Sequence, residues 1–205
     1  MIIDDKRYKL TTNNYFLFEN VKTQIVLGHT SNHDMNHFVG WVNRLNGYYN
    51  KTAAFTIDAA GFIYKHFDPK YQSNYFVDKS LNDKSIVILL ENDGWVENNV
   101  NNELISWNGD IYKGINSFID IKWRGHEKWC TYSEEQLNSV SELIKELGDN
   151  FNIPLKPISH NTKLEGVNYD ENVLYQSNLD KNCTSLSPAW DCIKLKKIIK
   201  NKDLK

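Results

Sequence analysis

The sequence holds only three cysteines, Cys130, Cys183 and Cys192. Any disulfide scheme leaves one thiol unpaired, which excludes the stapled framework of small secreted domains. Free thiols, or one thiolate held by a metal, fit that number better. Proline is scarce at four residues, and neither it nor the ten glycines gather into a linker. With no solenoid-type repeat either, one domain is the simplest organisation. No apolar run approaches the roughly 20 residues that a membrane span requires. The opening MIIDDKRYKL carries no hydrophobic leader, so synthesis in the cytoplasm without a signal peptide is expected. An excess of charge is also missing. A formal net charge of -2 gives no electrostatic footprint for nucleic acid or an anionic membrane, and the basic run KLKKIIKNK reads as a solvated helix face.

What the chain does have is core-forming material. Its 205 residues are 40% hydrophobic and 13% aromatic, enough for a domain that folds alone. The pattern alternates strands and helices. QIVLG is a short β-rich run, and MNHFVGWVNRL after Asp34 sets Phe38, Trp41, Val42 and Leu45 on one helical stripe. TAAFTID and FIYKHFD flank the turn Ala59-Ala60-Gly61 and predict a hairpin. SIVILLE, apolar nearly throughout, is expected as a central strand covered on both faces. ENDGWVENNVNNE reads as a surface loop after it. SEEQLNSVSELIKELGDNF offers a capping box at Ser133 and Gln136, then Leu137, Val140, Ile144 and Leu147 at helical spacing. LKPISH is expected as a short strand ending at His160, and SPAWDCIKLKKIIK as a closing helix with Pro188 in its first turn.

The order of these segments resembles the type 2 N-acetylmuramoyl-L-alanine amidases, the fold shared by phage lysozyme-type amidases, cell-wall recycling amidases and peptidoglycan recognition proteins. The matching pieces are IVLGHT, AAFTIDAAGFIYKHF, SIVILLEN, YSEEQLNSVSELIKEL, IPLKPISHN and KNCTSLSPAWD, which together span most of the chain. The resemblance implies an α/β fold with a mixed central β-sheet flanked by helices. It would occupy residues 22–200, after an N-terminal extension over 1–21 and before a short tail over 201–205. It also implies a zinc hydrolase. Zn2+ held by two histidines and a Cys or Asp keeps one position open for water, and the bond cut joins the lactyl group of muramic acid to L-alanine in peptidoglycan. Such ligands sit at the ends of neighbouring strands, where a rigid sheet holds them together.

Carried over residue by residue, the resemblance implies His29, His160 and Cys183 as metal ligands, with Asp191 as a fallback because Ser185 stands where many relatives carry aspartate. For Cys183 the competing reading is a small buried hydrophobe. Lys181, two residues before Cys183, inherits an assisting role in catalysis. Glu91 is the candidate general base, with Tyr49 behind it, and Asp58 and Asp68 serve turns. The first ligand raises a register question. Where the family reads His-x-Thr or His-x-Ser, this chain reads Gly28-His29-Thr30, with glycine in the ligand place, and adjacent strand residues point to opposite faces. Only a bulge at Gly28 would turn His29 toward the metal. His33 and His37 lie four apart but lack the glutamate of the zinc-protease motif, and are read as solvent-facing helical residues. Trp41, Trp95, Trp123 and Trp129 are candidates for a glycan groove, and KWRGHEKW, with Trp123, Arg124, His126 and Trp129, for a substrate-facing loop. The implied reading is a peptidoglycan amidase, phage-encoded, that reaches the wall after holin-type release or inside a virion. The competing reading is an inactive amidase fold that binds peptidoglycan or a virion or regulatory protein partner.

Overall fold

The computed structural model describes residues 1–114, 117–163 and 172–200. In chain order the strands are β1 (Ile3–Asp4), β2 (Gln24–His29), β3 (Phe55–Ile57), β4 (Ile63–Lys65), β5 (Ser85–Leu90), β6 (Trp95–Asn98), β7 (Leu104–Ser106), β8 (Phe118–Trp123), β9 (His126–Cys130) and β10 (Val173–Tyr175). The helices are α1 (Asn36–Asn43), α2 (Lys79–Lys84), α3 (Glu134–Phe151), α4 (Gln176–Leu179) and α5 (Cys192–Lys200). A six-stranded mixed sheet runs in the order β1-β4-β3-β5-β2-β10, and a four-stranded antiparallel sheet in the order β7-β6-β9-β8.

Every residue of β2 and β5 is buried. That is why their sequences are nearly continuous in apolar side chains, as parallel strands covered on both faces must be. The two strands pair without a break from Gln24 opposite Ser85 to His29 opposite Leu90. The β3–β4 hairpin is antiparallel, as its turn chemistry predicts. Helix α3 starts with the expected capping box, Gln136 N donating to Ser133 Oγ at 3.0 Å and Ser133 N to Gln136 Oε1 at 3.2 Å. Its first turn is fastened to the hairpin by Ser133 Oγ–H to Ala59 O and Ser139 Oγ–H to Gly61 O, both at 2.7 Å. Gly61, at φ +85°, lets the chain pass so close to α3 that a Cβ there would lie 2.9 Å from Glu135 O.

Four segments differ from the sequence reading. Residues 91–103 form no plain surface loop but run into the β6–β7 hairpin of the second sheet, because Trp95 and Val96 find a partner in β9. LKPISH forms no strand. Only Pro157 bridges to Val173, and the strand of this region is β10. Helix α5 begins at Cys192, after Pro188, because Trp190 N closes a turn onto Ser187 O and Asp191 Oδ1 caps the helix by accepting from Lys194 N at 2.8 Å. In α1 the buried residues are His37 and Trp41, while Leu45 is exposed beyond the helix end. The first 21 residues, set apart in the sequence reading, supply β1 to the edge of the main sheet and Leu10 to the core.

Candidate functional site

Strands β2, β5 and β10 run parallel, so their C-terminal ends share one edge of the sheet, the edge where an open α/β sheet presents its ligands. Strand β10 pairs Tyr175 with Leu27, and the next step of that register sets Gln176 beside Gly28. A Cβ built on Gly28 would lie 2.9 Å from Gln176 Oε1 and 3.2 Å from Ser185 Oγ. These three residues therefore converge. Gln176 Oε1 accepts from Tyr75 Oη–H at 3.1 Å, and Ser185 Oγ accepts from His29 N at 2.5 Å. Burial pushes the Tyr75 hydroxyl well above its ordinary range, so it stays protonated and donates.

His29 lies elsewhere. The unbroken β2–β5 register contains no bulge, so strand alternation turns its ring to the opposite face from Gly28. There His29 Nδ1 lies 2.9 Å from Tyr132 Oη, and the ring packs on Gly94, whose added Cβ would sit 3.0 Å from His29 Cε1. Burial pulls its pKa down to about 4. The ring is a neutral, packed core histidine.

His160 is half-buried in the segment that bridges to the far side of β10, so β10 stands between it and β2. Its carbonyl accepts from Asn178 Nδ2 at 2.9 Å. The position that sequence reading gave to His160, the end of the strand beside β2, belongs to Gln176. The short apolar run VLY was the available signal for that strand. Cys183 is half-buried, its thiol 3.7 Å from Ser185 O and raised in pKa by burial, the opposite of a poised thiolate. Asp191 is committed to capping α5. Among the described residues no three His, Cys, Asp or Glu side chains gather as a metal site. A zinc at the family position would meet Gly28, which has no donor, and the neutral oxygens of Gln176 and Ser185, where structural and catalytic sites use His, Cys or carboxylate. These residues do not fit the metal.

The remaining candidates divide between scaffold and rim. Glu91, just past β5, is buried. It accepts from Met35 N at 2.7 Å and Ala59 N at 3.3 Å, tying the loops that follow β2 and β3, while burial raises its pKa. Tyr49 is half-buried under the Arg44 guanidinium, 5.4 Å from the ring centroid. Lys181 is exposed and lines a groove of about 540 Å3 with Tyr75, Gln176 and Asp180.

KWRGHEKW lies in the β8–β9 hairpin, where Gly125 to Lys128 line a groove of about 310 Å3 with Val96, Glu97 and Asn98. Trp129 is fully buried with its indole N–H on Ile121 O at 2.8 Å, and His126 stacks on Trp95 at 3.9 Å between centroids. Trp123 carries the Arg124 guanidinium over its ring at 4.4 Å. Arg124 donates to Ser177 O and Asp180 O, each at 3.0 Å, and to Cys183 O. One planar fork thus pins the whole segment from α4 to Cys183. His33 and His37 also depart from the solvent-facing reading. His33 precedes α1 and pairs through Nδ1 with Asp93 Oδ1 at 3.0 Å, and His37 is buried with Nε2 3.0 Å from Thr56 Oγ1.

A family profile described as N-acetylmuramoyl-L-alanine amidase matches residues 19–172, stopping short of Gln176 and Ser185. No curated protein matches the chain. Among solved structures, the endolysin amidase LysCS from Clostridium intestinale URNW superposes with a TM-score of 0.56 at 13% identity, over 100% of this chain and 97% of that one. The catalytic domain of XlyA does so with a TM-score of 0.55 at 17% identity, over 97% and 99%. The amidase AmiD from E. coli, solved with its substrate anhydro-N-acetylmuramic acid-L-Ala-D-γ-Glu-L-Lys, gives a TM-score of 0.57 at 14% identity, over 89% and 59%. Likeness at these identities concerns the fold.

Proposed function

Because the chain belongs to the N-acetylmuramoyl-L-alanine amidase family, we propose that it recognises peptidoglycan at the muramic acid–L-alanine junction and holds it without zinc-dependent cleavage. The observation that carries this reading is the convergence of Gly28, Gln176 and Ser185 at the strand ends, where three metal-binding side chains would have to stand. What is left there suits amide recognition. With its oxygen engaged by Tyr75, the Gln176 carboxamide has N–H donors to offer a peptide carbonyl. Lys163 and Lys181 line the groove beside it together with Asp78 and Asp180, a mix of both charges that suits a peptide bearing carboxylates and an amine such as the one bound to AmiD.

Hydrolysis of the same bond by a zinc-dependent, phage-encoded lytic amidase is the second reading. It is favoured by Lys181 standing two residues before Cys183 and bordering the groove of Gln176.

Sedimentation with purified sacculi, elemental analysis and chromatography of the products separate the two. The binding reading expects co-sedimentation, no stoichiometric zinc and no release of peptides with a new L-alanine terminus. A zinc ion per chain together with released peptides establishes the second reading instead, and failure to co-sediment removes the first.

A further inference from the structure

The His33–Asp93 pair lies in the wall of a groove of about 650 Å3 that the loops after β2, β5 and β7 enclose. That volume is within the roughly 300–1,000 Å3 usual for ligand clefts. Asp93 is 4% exposed, whereas the His33 side chain is 41% exposed. The carboxylate is thus inside and the imidazole at the groove. His33 Nδ1 lies 3.0 Å from Asp93 Oδ1, and a carboxylate only accepts, so Nδ1 carries a proton. In the neutral ring this leaves the lone pair on Nε2. That atom makes no hydrogen bond among the described residues, the nearby carboxylate oxygen Asp34 Oδ2 lying 3.8 Å away.

The surroundings hold this geometry in place. On both sides of Asp93 the chain is fixed: Glu91 accepts from Met35 N and Ala59 N, and Gly94 N donates to Asn92 Oδ1 at 2.8 Å. Asn92 Nδ2 in turn donates to Thr131 O at 2.9 Å and Cys130 O at 3.3 Å. The loop that carries His33 is tied down as well. Asn32 bridges to Asn92, and Trp107 Nε1–H donates to Ser31 O at 2.6 Å. Within that loop Ser31, Asp34 and Met35 have φ of +54°, +53° and +55°, a left-handed conformation that is costly for residues other than glycine. Such strain persists only where surrounding contacts over-determine it, and it concentrates at working sites.

A half-exposed imidazole oriented through Nδ1 by a buried carboxylate is the arrangement of a general base. We propose that His33 and Asp93 form a second reactive centre, at which His33 activates water to hydrolyse a carboxylate ester. Nε2 takes a proton from water as the water oxygen bonds to the ester carbonyl carbon. When the tetrahedral intermediate collapses, the bond from that carbon to the alcohol oxygen breaks, and the imidazolium gives its proton to the departing oxygen. An alcohol and a carboxylic acid result, and His33 is neutral again. Asp93 touches no substrate. It is a positioning residue that keeps a proton on Nδ1 and stabilises the imidazolium. An ester fits this centre because an alkoxide leaves more readily than an amide nitrogen, so general-base help suffices. Lys113 and the carboxamides of Asn32 and Asn36 border the same groove and offer donors to the developing oxyanion. With Asp110 beside them, the walls carry both charges, and the reacting bond rather than net charge selects the substrate. This groove shares no lining residue with the one beside Gln176, so the centre stands apart from the peptidoglycan reading.

The probe is p-nitrophenyl acetate, hydrolysed by the full chain in the presence of EDTA. Wild type is expected to outpace free imidazole at equal concentration, with a rate that rises with pH as His33 loses its proton. The hydrogen bond from Asp93 and the charges of Asp93, Asp34 and Glu91 hold the His33 pKa above the ordinary 6.5, against the opposing effect of burial, and Asp110 and Lys113 are the charged groups across the groove. His33→Gln is expected to lower kcat/KM roughly hundredfold, the low end of what a positioned base supplies. Asp93→Asn is expected to lower kcat and to move the inflection of the pH profile to lower pH, because the carboxylate that favours the imidazolium is gone. A merely structural Asp93 would leave the inflection where it is. Circular dichroism checks that the variants are folded, and His33→Gln, at a half-exposed position, carries the test even where Asp93→Asn does not fold. A wild-type rate no greater than that of imidazole, full activity in His33→Gln, or an inflection unmoved in folded Asp93→Asn each overturns the proposal. Sedimentation with sacculi is read separately, so such a failure leaves the binding reading standing.

Discussion

A side chain on Gly28 would collide with Gln176: the two positions face each other across β2 and β10, with a built Cβ 2.9 Å from Gln176 Oε1. Leu89 Cδ2 at 3.0 Å and Ser185 Oγ at 3.2 Å close the remaining space. Gly28→Ala is therefore an overpacking substitution, expected to lower unfolding free energy by about 1–3 kcal/mol. Urea denaturation measures it. An unchanged midpoint would mean that the strand ends are looser than this geometry.

The same juxtaposition shows where zinc donors could be introduced. Gly28→His combined with Gln176→His, Ser185→Cys and Leu89→Ala, the last to free the space that a side chain on Gly28 needs, places two imidazoles and a thiol at facing positions, the donor set that zinc prefers. Elemental analysis after dialysis is expected to find zinc in the folded quadruple variant and none in the wild type. Zinc in the wild-type protein overturns the assignment.

Arg124 tests a different link. Its fork holds the carbonyls of Ser177, Asp180 and Cys183 and joins the second sheet to the segment that carries Gln176. Arg124→Ala should cost about 1–3 kcal/mol and raise amide exchange over residues 177–183. Arg124→Lys should not restore protection, since a single ammonium cannot reproduce the planar fork. Unaltered exchange in the alanine variant would make the fork incidental.

At the start of α3, Ser133→Ala removes both the capping bond to Gln136 N and the anchor to Ala59 O. A loss of about 1–2 kcal/mol is expected, with Ser133→Asn restoring the capping part alone. Thermal melts of the two variants compare directly, and indistinguishable melting of Ser133→Ala and wild type would contradict the role of the box.

The buried histidines set an acid limit. His37 and His66 both contact Thr56 Oγ1, at 3.0 and 2.9 Å, and burial lowers them to about 3 and about 4 from the ordinary 6.5. The unfolded chain thus takes up protons first. The stability they contribute is complete above pH 6.5 and is lost as pH falls from there toward about 4 for His66 and about 3 for His37. The groups around the pair, Tyr8, Phe38 and Trp41, bring no carboxylate to compensate. His29, lowered to about 4, acts in the same sense, whereas His33 and Glu91, both raised, act against it. The urea midpoint is expected to be lower at pH 5 than at pH 7, and a midpoint equal or higher at pH 5 would refute the balance.

By itself the sequence determined what local pattern can encode. The capping box and apolar spacing from Ser133 to Leu147 specified α3, and the unbroken apolar run of residues 85–90 specified a strand buried on both faces. The alternation rule applied to Gly28-His29 posed the register question that the unbroken β2–β5 pairing answered, and the order of segments was enough to reach the family. Tertiary structure decided which strand lies beside β2, and with it which side chains face Gly28. The periodicity of a segment reports which of its faces is buried, and it carries no record of its lateral neighbour. LKPISH and VLY were both short, strand-like runs after α3, and only sheet pairing chose VLY, setting Gln176 rather than His160 against Gly28. The same reason hides the contacts of Arg124 from sequence reading, since the carbonyls it holds lie more than fifty residues away along the chain.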